Sequence, residues 1–116
     1  MNHLLLAWVL LGAPLACRAQ VAPPTTYEFL TLLEMESQFN DFSKILFAPA
    51  FQGKAEVPLE RLPINTASSD KYMTAQRQNL ETVNRQLEAL TAAGWELVHV
   101  SAGEHTHEYL FRRRKP

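Results

Sequence analysis

A helical pattern near the C-terminus changes into a strand pattern at a single glycine, Gly94. Over residues 69–93 the apolar side chains recur at the spacing of an amphipathic helix. Gly94 stands just after the last of them, where helices commonly end in a left-handed conformation that glycine adopts without steric cost. From Trp95 the residues have the composition of a β-strand, over 95–101. A helix that leads directly into a strand requires a fold in which the two elements share a core.

Three further segments are predicted to be strands, at residues 27–35, 44–51 and 106–113. Leucines occur on both faces of the first of them, which predicts a strand inside the sheet. The second has a break at Pro49, because proline cannot donate to a ladder. The segment 36–67 is expected to be mostly loop, with a short extended piece near 55–59. The sequence therefore predicts an α+β domain, with an antiparallel sheet of three to four strands and one long helix, 69–93, packed on one face.

The helix and the C-terminal hairpin are expected to bury each other's apolar side chains. The helix residues within one face are Met73, Leu80, Val83, Leu87 and Leu90, with Tyr72 at the border. The hairpin residues that share a face are Trp95, Leu97, Tyr109 and Phe111. We therefore interpret Trp95 as a core residue, and the alternative is a Trp half-exposed at a binding surface.

A single helix covers only one face of a sheet, and the strands carry apolar residues on the other face as well. The residues predicted on that second face are Leu30, Leu32, Val98, Val100 and Leu110. It is expected to be covered by the segment 36–67 or to bind a partner, either a second copy of the chain or another protein of the cell envelope. A sheet edge is the alternative pairing surface.

The first nineteen residues have the features of a signal peptide. The apolar run Leu4–Ala16 is too short to span a bilayer comfortably, and the small residues Cys17 and Ala19 precede Gln20 as a cleavage site requires. Export to the periplasm or the medium is therefore predicted. The expected organisation is a signal peptide at 1–19, a Pro-rich tether at 20–26 and a single domain at 27–114.

Cys17 is the only cysteine, so the mature domain is expected to have no disulfide and no cysteine-based zinc site. Its Ala-Cys pair also resembles a lipoprotein signal, and in that alternative a lipidated Cys17 attaches the protein to a membrane. The net charge of -1 does not predict a basic surface for binding nucleic acid. The basic run 112–115 is interpreted as a solvated strand end.

The stretch "LEALTAAGWELVHV", followed by a hairpin ending in "EYLFRR", resembles the small bacterial family called domain of unknown function 4177. Its members have a first strand that opens with an aromatic residue, a helix that ends in Gly-Trp-Glu-Leu-Val, and a last strand that closes in aromatic and basic residues. The resemblance covers residues 79–113 and 27–33, while 36–67 is interpreted as an insertion. It implies a small α+β fold and no particular activity.

Three histidines, His99, His105 and His107, flank the last turn. If the hairpin is centred on Gly103, His99 faces His107 across the strands and a zinc site with three imidazole ligands is conceivable. The other interpretation is polar histidines at the end of a sheet. The sequence contains no G-x-S-x-G, H-E-x-x-H or Gly-rich phosphate motif, so no catalytic, cofactor-binding or metal residue is predicted.

These observations favour an exported, non-enzymatic binding or structural module of the cell envelope. One alternative is a metal-binding domain that uses the three hairpin histidines. Another is a small hydrolase with a site in the segment 36–67, which would show a pocket lined by Glu or Asp with shifted pKa values.

Overall fold

The structure, a computed structural model, describes residues 23–37, 42–63 and 69–116. Within these residues it has five strands and one helix, in the order β1 (Tyr27–Met35), β2 (Lys44–Phe51), β3 (Lys54–Pro58), α1 (Ser69–Ala92), β4 (Glu96–Ala102) and β5 (Thr106–Arg114). The predicted α+β class is confirmed. The sheet is larger than predicted, with five strands instead of three to four.

All five strands form one antiparallel sheet in the spatial order β3-β2-β1-β5-β4. β1 lies at the centre, as its leucines on both faces predict, and it pairs with β5 from Tyr27 opposite Arg114 to Met35 opposite Thr106. The additional strand is β3, which lies in the segment expected to be mostly loop. It forms because Gln52 and Gly53, both with positive φ (52° and 76°), reverse the chain in a tight turn after β2.

Pro49 interrupts the pairing of β2 with β3 but does not end β2. The ladder between these strands is regular from Lys44 to Leu46 and shifts between Leu46 and Phe51. Pro49 lies in that interval, where its missing N–H is tolerated. The prediction of a strand at 44–51 is therefore confirmed, although the regular pairing of β2 with β1 also ends at Ala48, directly before Pro49.

We call the side of the sheet that faces α1 the inner face and the opposite side the outer face. The buried residues of the core are Leu30, Leu32, Ile45, Phe47, Phe51, Val83, Leu90, Trp95 and Phe111. The prediction that Leu30, Leu32 and Val100 lie on the uncovered face was wrong, whereas Leu110 lies on that face as predicted. Leu30 pairs with Phe111 and Leu32 with Tyr109, so the even-numbered residues of β1 share the inner face with the odd-numbered residues of β5.

The helix packs on the sheet through a face that differs in part from the predicted one. Val83 and Leu90 are buried and Leu87 packs against the core, as predicted, but Met73 and Leu80 are exposed. The positions nearest the sheet in the first half of α1 are instead those of Ala75 and Asn79, both of which are buried. Apolar periodicity alone missed this face because one of its central residues is polar.

Asn79 is fully buried because its side chain binds the loop that follows β3. Its Oδ1 accepts a hydrogen bond from the Glu60 N–H at 2.7 Å, and its Nδ2 donates to the Glu60 carbonyl at 2.9 Å. Both polar groups of the amide are thereby satisfied in the interior. The contact fixes the rotation of α1 on the sheet and turns Met73 and Leu80 towards solvent.

The predicted signal peptide, with Cys17 and its alternative as a lipid anchor, lies outside the described residues, as do 38–41 and 64–68 within the segment 36–67. Among the residues that are described, no helix is both long and apolar enough to cross a membrane.

Candidate functional site

The junction between α1 and β4 is a helix cap. Gly94 has a φ of 89°, in the left-handed region. The Trp95 N–H donates to the Leu90 carbonyl and the Gly94 N–H to the Thr91 carbonyl, each at 3.0 Å. These two hydrogen bonds define the Schellman motif, in which the residue after the glycine also packs against the last turn of the helix. Trp95 and Leu90 are both buried in the core, so the Gly-Trp pair serves the fold, as predicted.

Arg113 covers this cap from the last strand. Its Nε donates to Glu28 Oε1 at 2.7 Å, and its guanidinium lies 4.3 Å from the centre of the Trp95 ring. It also donates to the Ala93 carbonyl at 3.3 Å, where a cation complements the C-terminal end of the helix dipole. Its neighbour Arg112 binds Glu96 at 3.1 Å on the outer face. The basic run is therefore more than a solvated strand end, because both arginines have partners.

At the other end of the sheet, a cleft of about 440 Å³ opens between the end of β1, the first half of α1 and the β4–β5 turn. The residues that line it are Glu36, Ser37, Leu62, Tyr72, Gln76, Glu104, His105 and His107. The Glu36 N–H donates to the His105 carbonyl at 3.2 Å, which joins the end of β1 to the turn. Most of these groups are polar, so the cleft is suited to a polar ligand or to proton exchange.

A pair of carboxyl groups lies at this cleft, with Glu36 in its wall and Glu34 buried behind it. Burial and the adjacent Glu34 raise the pKa of Glu36 from its ordinary 4.5 to about 7, and a hydrogen bond from Gln76 opposes the shift. Glu34 is only 3% exposed and does not line the cleft, so Glu36 is the member of the pair that a solute meets.

Two side chains of β5 surround the Glu34 carboxylate. The Tyr109 hydroxyl donates to Glu34 Oε2 at 3.5 Å, and His107 Nδ1 lies 3.6 Å from the same oxygen. Burial and the charge of Glu34 raise the pKa of Tyr109, which keeps its hydroxyl a donor. These contacts hold Glu34 in the interior, beside Glu36.

Chemically, the cleft offers one carboxyl group that is half protonated near neutral pH and therefore able to donate or accept a proton. Only Glu36 of the pair lines the cleft, so the two carboxyls are not placed as an acid and a base on opposite sides of a bound glycoside. The sequence patterns considered above did not indicate this pair. The Glu34-x-Glu36 spacing was the available signal, since residues two apart in a strand point to the same side.

The structure does not bring the three hairpin histidines together. The β4–β5 hairpin is centred between Glu104 and His105, not on Gly103, because Ala102 pairs with His107. In this register His99 lies opposite Leu110, on the outer face, and the ladder shifts only beyond it, between His99 and Leu97. His107 lies opposite Glu34 on the inner face. The pairing of His99 with His107 that a zinc site would need is therefore not formed.

Across the part of the chain that the structure describes, no group of three or more His, Cys, Asp or Glu residues is arranged to hold a metal ion. Comparison of the chain with protein-family models, with curated proteins and with solved structures finds no match.

Proposed function

We propose that this chain is an exported, non-enzymatic binding module of the cell envelope, which binds an extended polypeptide segment along β4. The observation that carries the proposal is the exposure of the residues of this edge strand. All seven residues of β4 are exposed, and Leu97, Val98 and Val100 among them are large and apolar. The unpaired backbone groups of an edge strand accept a further strand, and pockets for alternate side chains give such pairing its specificity.

The opposite edge of the same sheet is protected against pairing, which makes β4 distinctive. β3 has five residues, among them Lys54, Glu56 and Pro58. Short length, charge and proline are the devices by which proteins prevent unwanted strand addition. β4 is longer and has neither lysine nor proline, and its one acidic residue, Glu96, is already paired with Arg112. Its only such device is the irregularity between Leu97 and His99, so we expect pairing along the regular part, 99–102.

The helix extends this apolar edge. Gln76 lines the cleft with His105 and His107, so that flank of α1 faces the β4–β5 hairpin. The exposed Leu80 lies one turn after Gln76 on the same flank. Leu97 and Val100 pair with Phe111 and Tyr109 and therefore also lie on the inner side. Leu80, Leu97 and Val100 therefore lie on one side of the molecule.

The predicted export of the protein supports the same role. The apolar run Leu4–Ala16 and the small residues before Gln20 are the features of an exported chain, in which a partner would be met outside the cytoplasm.

The test is photo-crosslinking in the cells that make the protein, with the reactive residue at position 98 or, as a control on the protected edge, at position 56. We expect a discrete adduct with another polypeptide from position 98 and none from position 56. The adduct should disappear when Val100→Lys is added, because a buried unpaired charge opposes strand addition. An adduct that persists in this variant, or that contains only a second copy of this chain, contradicts the proposal.

A second candidate, acid–base hydrolysis at the cleft, is favoured by one observation: Glu36 has a pKa of about 7 at its wall. Its test is turnover of a panel of nitrophenyl esters and glycosides. Turnover that Glu36→Gln abolishes and Val100→Lys leaves intact selects this candidate over the binding module.

A further inference from the structure

We propose that the outer face of the sheet is the interface between two copies of this chain, packed face to face about a twofold axis. The inference does not depend on the partner of β4, because it concerns the opposite side of the molecule. Its starting point is Phe29, a large aromatic residue that lies in the central strand and is 54% exposed. Phe29 and its outer-face neighbours Leu33, Leu46 and Leu110 do not belong to the core cluster that the described residues form.

The register of the sheet shows which residues surround the centre of this face. Thr31 pairs with Ala48 on one side and with Leu110 on the other, and Leu110 pairs with His99. These four residues form a row across β2, β1, β5 and β4. Two positions away along the strands, Phe29 pairs with Arg112 at one end and Leu33 with Glu108 at the other.

A twofold axis along this row makes the face complementary to itself. After this rotation, the residue two positions before the row in one copy lies opposite the residue two positions after the row on the same strand of the other copy. Phe29 of one copy then faces Leu33 of the second, and Arg112 of one copy faces Glu108 of the second. Phe29 and Leu33 therefore make apolar contacts on both sides of the axis, and the opposite charges of Arg112 and Glu108 meet on the neighbouring strand, across two packed sheets.

This charge arrangement favours a second copy over an unrelated partner. Arg112 and Glu108 flank Leu110 on the same strand and the same face, so a single copy supplies both halves of the ion pair. Arg112 keeps its bond to Glu96 at 3.1 Å within its own chain and can donate to a second carboxylate through its remaining N–H groups.

The first test is sedimentation equilibrium of the protein as the cell processes it. We expect a dimer, and we expect Phe29→Arg to weaken the dimer by about 100-fold or more, because it places a charge at the centre of the interface. Leu80→Arg is the matched control, since Leu80 is also 54% exposed but lies on the helix, and it should leave the dimer unchanged. A monomer at all concentrations, or a dimer that survives Phe29→Arg, overturns the proposal.

The second test is charge reversal, made in a Glu96→Gln background so that the partner within the chain does not interfere. Glu108→Arg and Arg112→Glu should each weaken the dimer, and the two together should restore it, because the exchanged charges meet again across the axis. A double variant as weak as the single ones overturns the twofold arrangement. If the uncleaved chain is monomeric and only the processed chain dimerises, the N-terminal segment competes for this face. A dimer whose affinity is unchanged in all these variants but is lost in Val100→Lys overturns the proposal and places self-association on β4.

Discussion

The guanidinium of Arg113 lies over the ring of Trp95, 4.3 Å from its centre, and joins the last residues of the sheet to the cap of the only helix among the described residues. The same side chain reaches Glu28 at the start of β1. One residue thus connects the first strand, the end of the helix and the last strand, which are far apart in the sequence. This relationship explains why a Gly-Trp junction and a basic strand end occur together in one chain.

Replacing Arg113 with Gln is expected to destabilise the fold by about 1–2 kcal/mol, because it removes a cation over an aromatic ring and a charge-assisted hydrogen bond at a partly exposed site. The measurement is urea denaturation. Arg114→Gln is the control: Arg114 is exposed, and its replacement should change the stability by less than about 0.5 kcal/mol. Equal losses in the two variants would show that Arg113 does not hold the junction.

The part of the fold that the sequence predicted is the part set by local signals. The helix ends at Ala92, one residue before its predicted end at 93 and two residues before Gly94, and the strands at 27–35 and 44–51 have the predicted bounds. The register could not be read in the same way, because the shift between Leu97 and His99 leaves no mark in composition. The pairing of His99 with His107 is not formed because the turn is centred between Glu104 and His105 and not on Gly103. β3 was underestimated because it has only five residues, which include a proline, and four of them are exposed.

The candidate surfaces depended on contacts between distant parts of the chain. Glu36 contacts Gln76 of α1, and Glu34 contacts His107 and Tyr109 of β5. Because these residues are far apart in the sequence, the raised pKa of Glu36 arises only in the folded chain. A polar residue such as Asn79 at the centre of a helix face cannot be predicted from hydrophobic periodicity.

The rotation of the helix can be tested by comparing two leucines on α1. Leu90→Ala is expected to cost about 2–5 kcal/mol because Leu90 is fully buried, whereas Leu80→Ala should cost less than about 0.5 kcal/mol because Leu80 is exposed. Thermal or chemical denaturation measures both. Similar costs for the two variants would mean that α1 packs with the face that the periodicity suggested.

Asn79→Leu is expected to destabilise the protein by about 1–3 kcal/mol, although it introduces an apolar residue with the same branching at Cγ. The reason is that the N–H and the carbonyl of Glu60 lose their partner in a partly buried loop. Asn84→Leu, at an exposed position of the same helix, is the control and should be close to neutral. An Asn79→Leu protein as stable as the parent would show that the loop does not depend on this contact.

The stability of the protein should fall as the pH rises from about 4.5 to about 7, because burial and Glu34 raise the pKa of Glu36 across that range. In this window the folded state keeps a proton that the unfolded state has released, so the contribution is fully present below the lower value and lost above the upper one. Denaturation at several pH values measures the slope, which Glu36→Gln should flatten. Glu104→Gln, an exposed carboxyl beside the same cleft, should leave the slope unchanged.

The central claim is that β4 is a binding edge, and amide hydrogen exchange tests it most directly. In the purified protein the amides of 99–102 that point away from β5 should exchange quickly, since they lie on a fully exposed edge strand. In the presence of envelope extract from the producing cells, the same amides should become protected, while those of β3 stay as they were, and Val100→Lys should remove the protection. Exchange in β4 that is the same with and without the extract would contradict the claim.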